Sequence, residues 1–189
     1  MTSDQDPTAR FDGREDDYDR YRPGYPEGMV RLLRERGILS NSTIVADIGS
    51  GTGILTAMLL RQGAVVYAVE PNARMRSKAE ARFKGEKNFF SMPKRAEETG
   101  LPGGSVDLVT AAQSFHWFDP LGCRREFIRI LRPGGWVMLV WNNRLDDRGD
   151  FNIAYERMLK KHNADDSRGM SDDERDRRIG DLFSGDPER

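Results

Sequence analysis

The chain has 189 residues, 37% hydrophobic and 32% charged, with 30 basic and 31 acidic side chains and a formal net charge of −1. That length suits one domain with appendages, and that balance excludes a collagen-like chain and a strongly basic nucleic-acid coat. The charge is uneven: residues 1–20 hold seven acidic and three basic side chains, residues 144–189 hold thirteen and ten, and residues 21–141 hold the remaining 28. We therefore expect a polar N-terminal segment over 1–20, a folded core over 21–145, and a charged tail over 146–189 that is helical or partly disordered. A single cysteine, Cys123, excludes an intramolecular disulfide framework and points to a reducing, cytoplasmic setting. Met1 to Arg10 is polar and lacks the apolar stretch of a secretory signal. No apolar run approaches the ~20 residues of a membrane-spanning helix.

In chain order, Glu27–Arg36 carries Met29, Val30, Leu32 and Leu33 at helical spacing and closes at Gly37. Thr43–Ile48 is short, β-branched and apolar, which suits a buried parallel strand. After Gly49-Ser50-Gly51-Thr52-Gly53, the residues Ile54, Leu55, Met58 and Leu59 predict a helix that ends at Gly63. Ala64–Val69 is a second buried strand, and Asn72 can cap a helix carrying Met75, Ala79 and Phe83. Asn88–Met92 is a weak third strand and Val106–Ala111 a fourth. Asp119-Pro120 starts a helix with Phe127, Ile130 and Leu131 on its apolar side. Pro133-Gly134-Gly135 breaks that helix, and Trp136–Trp141 forms a fifth strand. In the tail, Asp150–Lys161 is helical, and Ser171 with Glu174 fits a capping box ahead of Ile179, Leu182 and Phe183. Strand–helix alternation without hairpin signals implies an α/β sheet with helices on both faces.

The glycine loop lies between a strand and a helix, where glycines let the backbone turn sharply and approach a ligand. A dinucleotide site needs G-x-G-x-x-G or A. Counted from Gly49 the last position is Ile54, and from Gly51 it is Thr56, so that pattern fails in both registers. Asp47, two places before the first glycine, would repel a pyrophosphate but suits an ammonium group beside a carboxylate. Glu70 ends the second strand, where a carboxylate can accept from both hydroxyls of a ribose. Amino acid on one side and ribose on the other is the outline of S-adenosylmethionine.

On these residues the sequence resembles the class I S-adenosylmethionine-dependent methyltransferases, closest to the small-molecule type 11 branch that includes trans-aconitate and ubiquinone methyltransferases. The motifs are VADIGSGTG (45–53), AVEPN (68–72), RAEETGLPGGSVDLVTA (95–111), QSFHWFD (113–119) and LRPGGWVMLV (131–140). The resemblance implies a Rossmann-like three-layer α/β sandwich with a mainly parallel sheet. It implies S-adenosyl-L-methionine as cofactor, S-adenosyl-L-homocysteine as product, and a small-molecule acceptor methylated at oxygen, nitrogen or acidic carbon. It further implies that Asp47 and the amides around Gly49, Ser50, Gly51 and Gly53 hold the methionine part. Glu70, followed by Pro71, holds the ribose, Met75 packs on the adenine, Ala96 and Glu97 meet its edge, and Gln113 lines the methionine end.

At the reacting end, His116 is the only histidine in the expected site, either a general base or a structural residue of its loop, beside Trp117 and Phe118. Tyr18, Tyr21, Arg22 and Tyr25, together with Trp117, are candidates for a lid or for acceptor contacts. The loop lacks the Asn/Asp-Pro-Pro-aromatic motif of amino-methylating nucleic-acid enzymes, and Cys123 lies in a helix rather than in a Pro-Cys nucleophile motif, so no nucleic-acid partner is expected. There is no Cys/His/Asp cluster with metal spacing, and His162 sits in a charged run as a solvated residue. The family sheet has seven strands and this chain offers five, lacking the last two. A fragment, a helical substitution or a partner on the uncovered edge, a second copy included, would each account for that. The alternative function is a non-catalytic or truncated S-adenosylmethionine-binding module.

Overall fold

The computed structural model describes residues 24–142, 149–161 and 171–183. In chain order the elements are α1 (Glu27–Glu35), β1 (Ile44–Ile48), α2 (Ile54–Leu60), β2 (Val65–Val69), α3 (Ala73–Arg82), β3 (Phe89–Met92), β4 (Val106–Ala112), a 3-10 turn (Phe115–Trp117), α4 (Pro120–Ile130), β5 (Leu131–Val140), α5 (Asp150–Lys161) and α6 (Asp172–Phe183). The five strands pair in the order β3-β2-β1-β4-β5, and every pair is parallel. β1 is therefore central, as expected of a short, β-branched and mostly apolar strand, and the fold is the Rossmann-like α/β sandwich expected.

The alternation of side chains along each strand sorts the core into two layers. Val45, Val66 and Leu108 face α1 and α2, packing with Val30, Leu33, Leu55 and Leu59. Ala46, Ile48, Val109 and Ala111 face the other way and pack with Cys123, Phe127 and Ile130 of α4. Leu182 of α6 is 4% exposed and joins this second cluster, so the charged tail contributes a helix that docks on α4. Ser171 begins α6 as a capping residue, its hydroxyl accepting from the Glu174 amide at 3.2 Å. Among the described residues, no helix is long and apolar enough to cross a membrane.

β5 begins earlier than the sequence suggests. Leu131 pairs with Val106, the register then shifts, and Trp136 pairs with Leu108. Pro133, Gly134 and Gly135 thus form an irregularity inside the strand rather than a break before it, with Gly134 at φ +79°. A proline without an N–H is tolerated there because β5 is an edge strand. Trp136 is 54% exposed on that edge.

Candidate functional site

An open cleft runs along the carboxyl ends of β1, β2, β3 and β4, with ≈ 720 Å³ of empty space including its solvent mouth. The loop after β1 forms its floor. The amides of Gly49 and Ser50 both donate to the Val69 carbonyl, at 2.8 and 3.2 Å, which ties the loop to the neighbouring strand. A Cβ on Gly49 would lie 2.5 Å from Ser114 Cβ and 3.0 Å from the Phe118 ring, and its φ is +66°. Close approach and a left-handed backbone together demand glycine there. Gly53, at φ +84°, caps α2 and meets the Phe83 ring in the same way.

Glu70 stands at the end of β2, 8% exposed. Its Oε2 accepts from the Gly51 amide at 2.9 Å and its Oε1 from the Asn72 amide at 2.8 Å. Burial raises its carboxyl above the usual range, opposed by those two amides and by the charge of Arg76. Asn72 also caps α3, accepting from the amides of Arg74 and Met75 at 3.0 and 2.9 Å. That cap turns Met75, 3% exposed, against the cleft.

Gln113 directly follows β4 with φ +55°, the only left-handed backbone at a non-glycine among the described residues. Such a conformation costs on the order of 1–2 kcal/mol and is kept where the surroundings over-determine it. Here the Gln113 amide donates to the Val140 carbonyl at 2.8 Å and its side-chain Nε2 to the Asn142 carbonyl at 3.3 Å.

Of the residues expected at the site, Gly49, Gly51, Glu70, Pro71, Met75, Ala96, Glu97, Gln113 and Trp117 all line this one cleft. Asp47 and Ser50 do not; they line a smaller cavity on the other side of Gly49, with Tyr25 and Thr52. Asp47 is 1% exposed and both its oxygens are engaged, Oδ2 by the Thr56 hydroxyl at 2.6 Å and Oδ1 by the Thr110 hydroxyl at 2.8 Å. Burial pushes its carboxyl up to about 6 despite these hydrogen bonds. The Ser50 hydroxyl is buried with no hydrogen-bond partner among the described residues. Gly53 lines neither space and serves the turn.

His116 also lies outside the main cleft. It lines an adjoining groove with Glu98, Asp119 and Arg178, and that groove shares Arg95, Glu97, Trp117 and Phe118 with the cleft. Its ring centroid is 4.7 Å from that of Trp117. Phe115, the preceding residue, is fully buried and anchors the turn. Arg178 of α6 donates to the Phe118 carbonyl, so the tail helix holds this loop from outside.

Cys123 is buried, and burial raises its thiol far above the usual range, as befits a packing residue rather than a nucleophile. Tyr18, Tyr21, Arg22 and His162 lie outside the described residues. Sequence reasoning missed Ser114, whose hydroxyl donates to the Ile48 carbonyl at 2.9 Å and whose Cβ fills the space a side chain on Gly49 would need. Only the glycine at 49 hinted at such a neighbour.

Comparison with known proteins places this architecture. A family model described as a methyltransferase domain matches residues 46–139, the span from β1 to β5. An uncharacterized methyltransferase of Mycobacterium tuberculosis is 39% identical over 131 residues, covering 69% of this chain and 51% of that protein. A protein of Anaeromyxobacter dehalogenans, whose solved structure carries a provisional type II methyltransferase name, is 27% identical with a TM-score of 0.64, covering 85% of this chain and 63% of that one. A solved structure from Methanococcus maripaludis aligns with a TM-score of 0.68 over 96% of this chain and 86% of its own; at 19% identity it shows the fold alone. The chain spans about half the length of the curated relatives it matches. The chain belongs to the class I S-adenosylmethionine-dependent methyltransferases and carries their type 11 methyltransferase domain.

Proposed function

We propose that the cleft binds S-adenosylmethionine and that residues 21–145 are the cofactor-binding core of an enzyme that methylates a small molecule. The residues present fit that cofactor. Each oxygen of Glu70 already takes one amide and keeps acceptor capacity for a ribose hydroxyl. Met75 and Pro71 offer an apolar wall for a base, and Ala96 with Glu97 forms the lip beside it. The unpartnered Ser50 hydroxyl and the buried Asp47 lie beyond Gly49, where the amino-acid end would reach. The observation that carries the reading is the convergence of Gly49, Glu70, Glu97 and Gln113, from four different strand ends, on a single cleft.

When bound, the cofactor supplies a methyl group activated on a sulfonium, so the protein's task is orientation. Glu70 and the loop at Gly49–Gly51 fix the nucleoside, Gln113 and Ser114 wall the far end, and Trp117 and Phe118 keep water from the space between. His116, which lines the adjoining groove beside Trp117, orients its loop rather than removing a proton. A cytoplasmic location is part of the same reading, in keeping with one buried cysteine. The test is transfer of labelled methyl groups from S-adenosylmethionine to a panel of small carboxylic acids, phenols and amines, using the full-length protein. Label in at least one acceptor supports the reading. Cofactor binding without transfer to any would favour the binding module, for which the β5 edge, unpaired among the described residues, offers a docking place.

A further inference from the structure

α4 grips the lip of the cleft from behind. Glu126, 7% exposed, accepts on Oε1 from the Thr99 amide at 2.8 Å, from the Thr99 hydroxyl at 2.5 Å and from Arg129 Nη2 at 2.7 Å. Its Oε2 accepts from Arg129 Nε at 2.7 Å, and Arg129 Nη2 continues to the Leu101 carbonyl at 2.8 Å. Burial alone would raise the Glu126 carboxyl, but the hydrogen bonds from Arg129 and Thr99 outweigh it and hold the group ionised, below its usual range. About two turns earlier, at the start of the same helix, the Asp119 amide donates to Glu97 Oε1 at 2.9 Å. Asp119 itself caps α4 through the Gly122 amide at 2.9 Å. The segment from Glu97 to Leu101 is thus pinned to one rigid helix at both ends.

An ion pair with one buried and one half-exposed partner, as Glu126 and Arg129 are, is a weak source of stability, because the buried charge loses its hydration and the exposed one is screened. What a bidentate Arg–carboxylate pair supplies is a fixed geometry. Here the geometry it fixes is that of Thr99, three residues from Ala96 and two from Glu97. We propose that Glu126 and Arg129 are positioning residues which, through Thr99, set where Ala96 and Glu97 meet the ligand's base and so tune selection of an amino-purine. This rests on the reading that the Ala96–Glu97 lip faces the adenine. Glu97 has one oxygen committed to Asp119, which leaves Oε2, 3.7 Å from the exposed Arg95 Nε, for an exocyclic amine. A small shift of the segment would withdraw it.

The test compares binding of S-adenosylhomocysteine with that of S-inosylhomocysteine, in which a carbonyl replaces the exocyclic amine. The wild-type chain prefers the adenosyl ligand by about tenfold or more, the usual worth of a charged hydrogen bond. Thr99→Val, which keeps the shape and removes the hydroxyl donor, and Glu126→Gln, which weakens the grip on Arg129, each lower that preference about three- to tenfold. They do so by weakening the adenosyl ligand and leaving the inosyl ligand near its wild-type affinity, and Thr99→Ser restores the preference. Glu97→Gln separates the two claims. If Glu97→Gln abolishes the preference while Thr99→Val and Glu126→Gln retain it, or weaken both ligands equally, the positioning role is overturned and the lip reading stands. If Glu97→Gln keeps the preference, the lip does not meet the base and the positioning role falls with it.

Discussion

Replacing Asp47 by asparagine separates the cost of a buried carboxylate from its usefulness. The group sits at the centre of the sheet with 1% exposure, and its carboxyl is pushed up to about 6 from an ordinary 3.8. Between those values the folded chain holds a proton that the unfolded chain has lost, so stability falls as pH rises from about 4 to about 6. At 1.36 kcal/mol per unit, a rise of about two units amounts to about 3 kcal/mol. The asparagine side chain is neutral at every pH, and its amide can satisfy both threonines, since either hydroxyl can turn to accept. The difference in unfolding free energy between Asp47→Asn and wild type should therefore grow in favour of the variant by about 2 kcal/mol from pH 4 to pH 7, the rest of the shift lying below pH 4. Urea unfolding followed by far-ultraviolet circular dichroism at several pH values reads this difference directly, and titrating groups other than Glu70, which feels the charge on Asp47, cancel in it. A difference that stays flat from pH 4 to pH 7, or that grows in favour of the wild type, would refute the reasoning.

Three further outcomes are expected. Glu70→Gln weakens S-adenosylhomocysteine binding about ten- to hundredfold by calorimetry, with an unchanged circular dichroism spectrum, because a charged acceptor for two hydroxyls is lost. Gln113→Gly relieves the left-handed backbone at φ +55° and raises the unfolding free energy by up to about 1 kcal/mol. The same variant lowers cofactor affinity, since the cleft wall loses its side chain. His116→Asn leaves S-adenosylhomocysteine affinity unchanged and, in the full-length protein, leaves both limbs of the pH–rate profile in place.

What could be read from the sequence is local, and what could not depends on residues far apart in the chain. The β-branched runs, the glycine loop and the Asp119-Pro120 start each carry their signal within a few residues, and each element lies within a few residues of its expected place. The position of Asp47 was not legible in the same way. Its side chain turns to Thr56 on α2 and Thr110 on β4, the latter 63 residues away, rather than into the main cleft. The placing of His116 was not legible for a related reason: a single 3-10 turn buries Phe115 and leaves its neighbour lining the groove, and only the loop's conformation decides which residue faces which side. The early start of β5 escaped because Pro133-Gly134-Gly135 reads as a break, yet parallel pairing of Leu131 with Val106 continues the strand across it. The Glu126–Thr99 grip spans 27 residues and leaves no local pattern at all.

The central claim is that residues lining one cleft form a site for S-adenosylmethionine and not for a dinucleotide. Isothermal titration of this chain with S-adenosylhomocysteine and, separately, with NAD tests it most directly. Saturable one-to-one binding of S-adenosylhomocysteine, reduced by Glu70→Gln, with no heat from NAD, is the predicted result. Binding of NAD, or S-adenosylhomocysteine binding that Glu70→Gln leaves untouched, would contradict it.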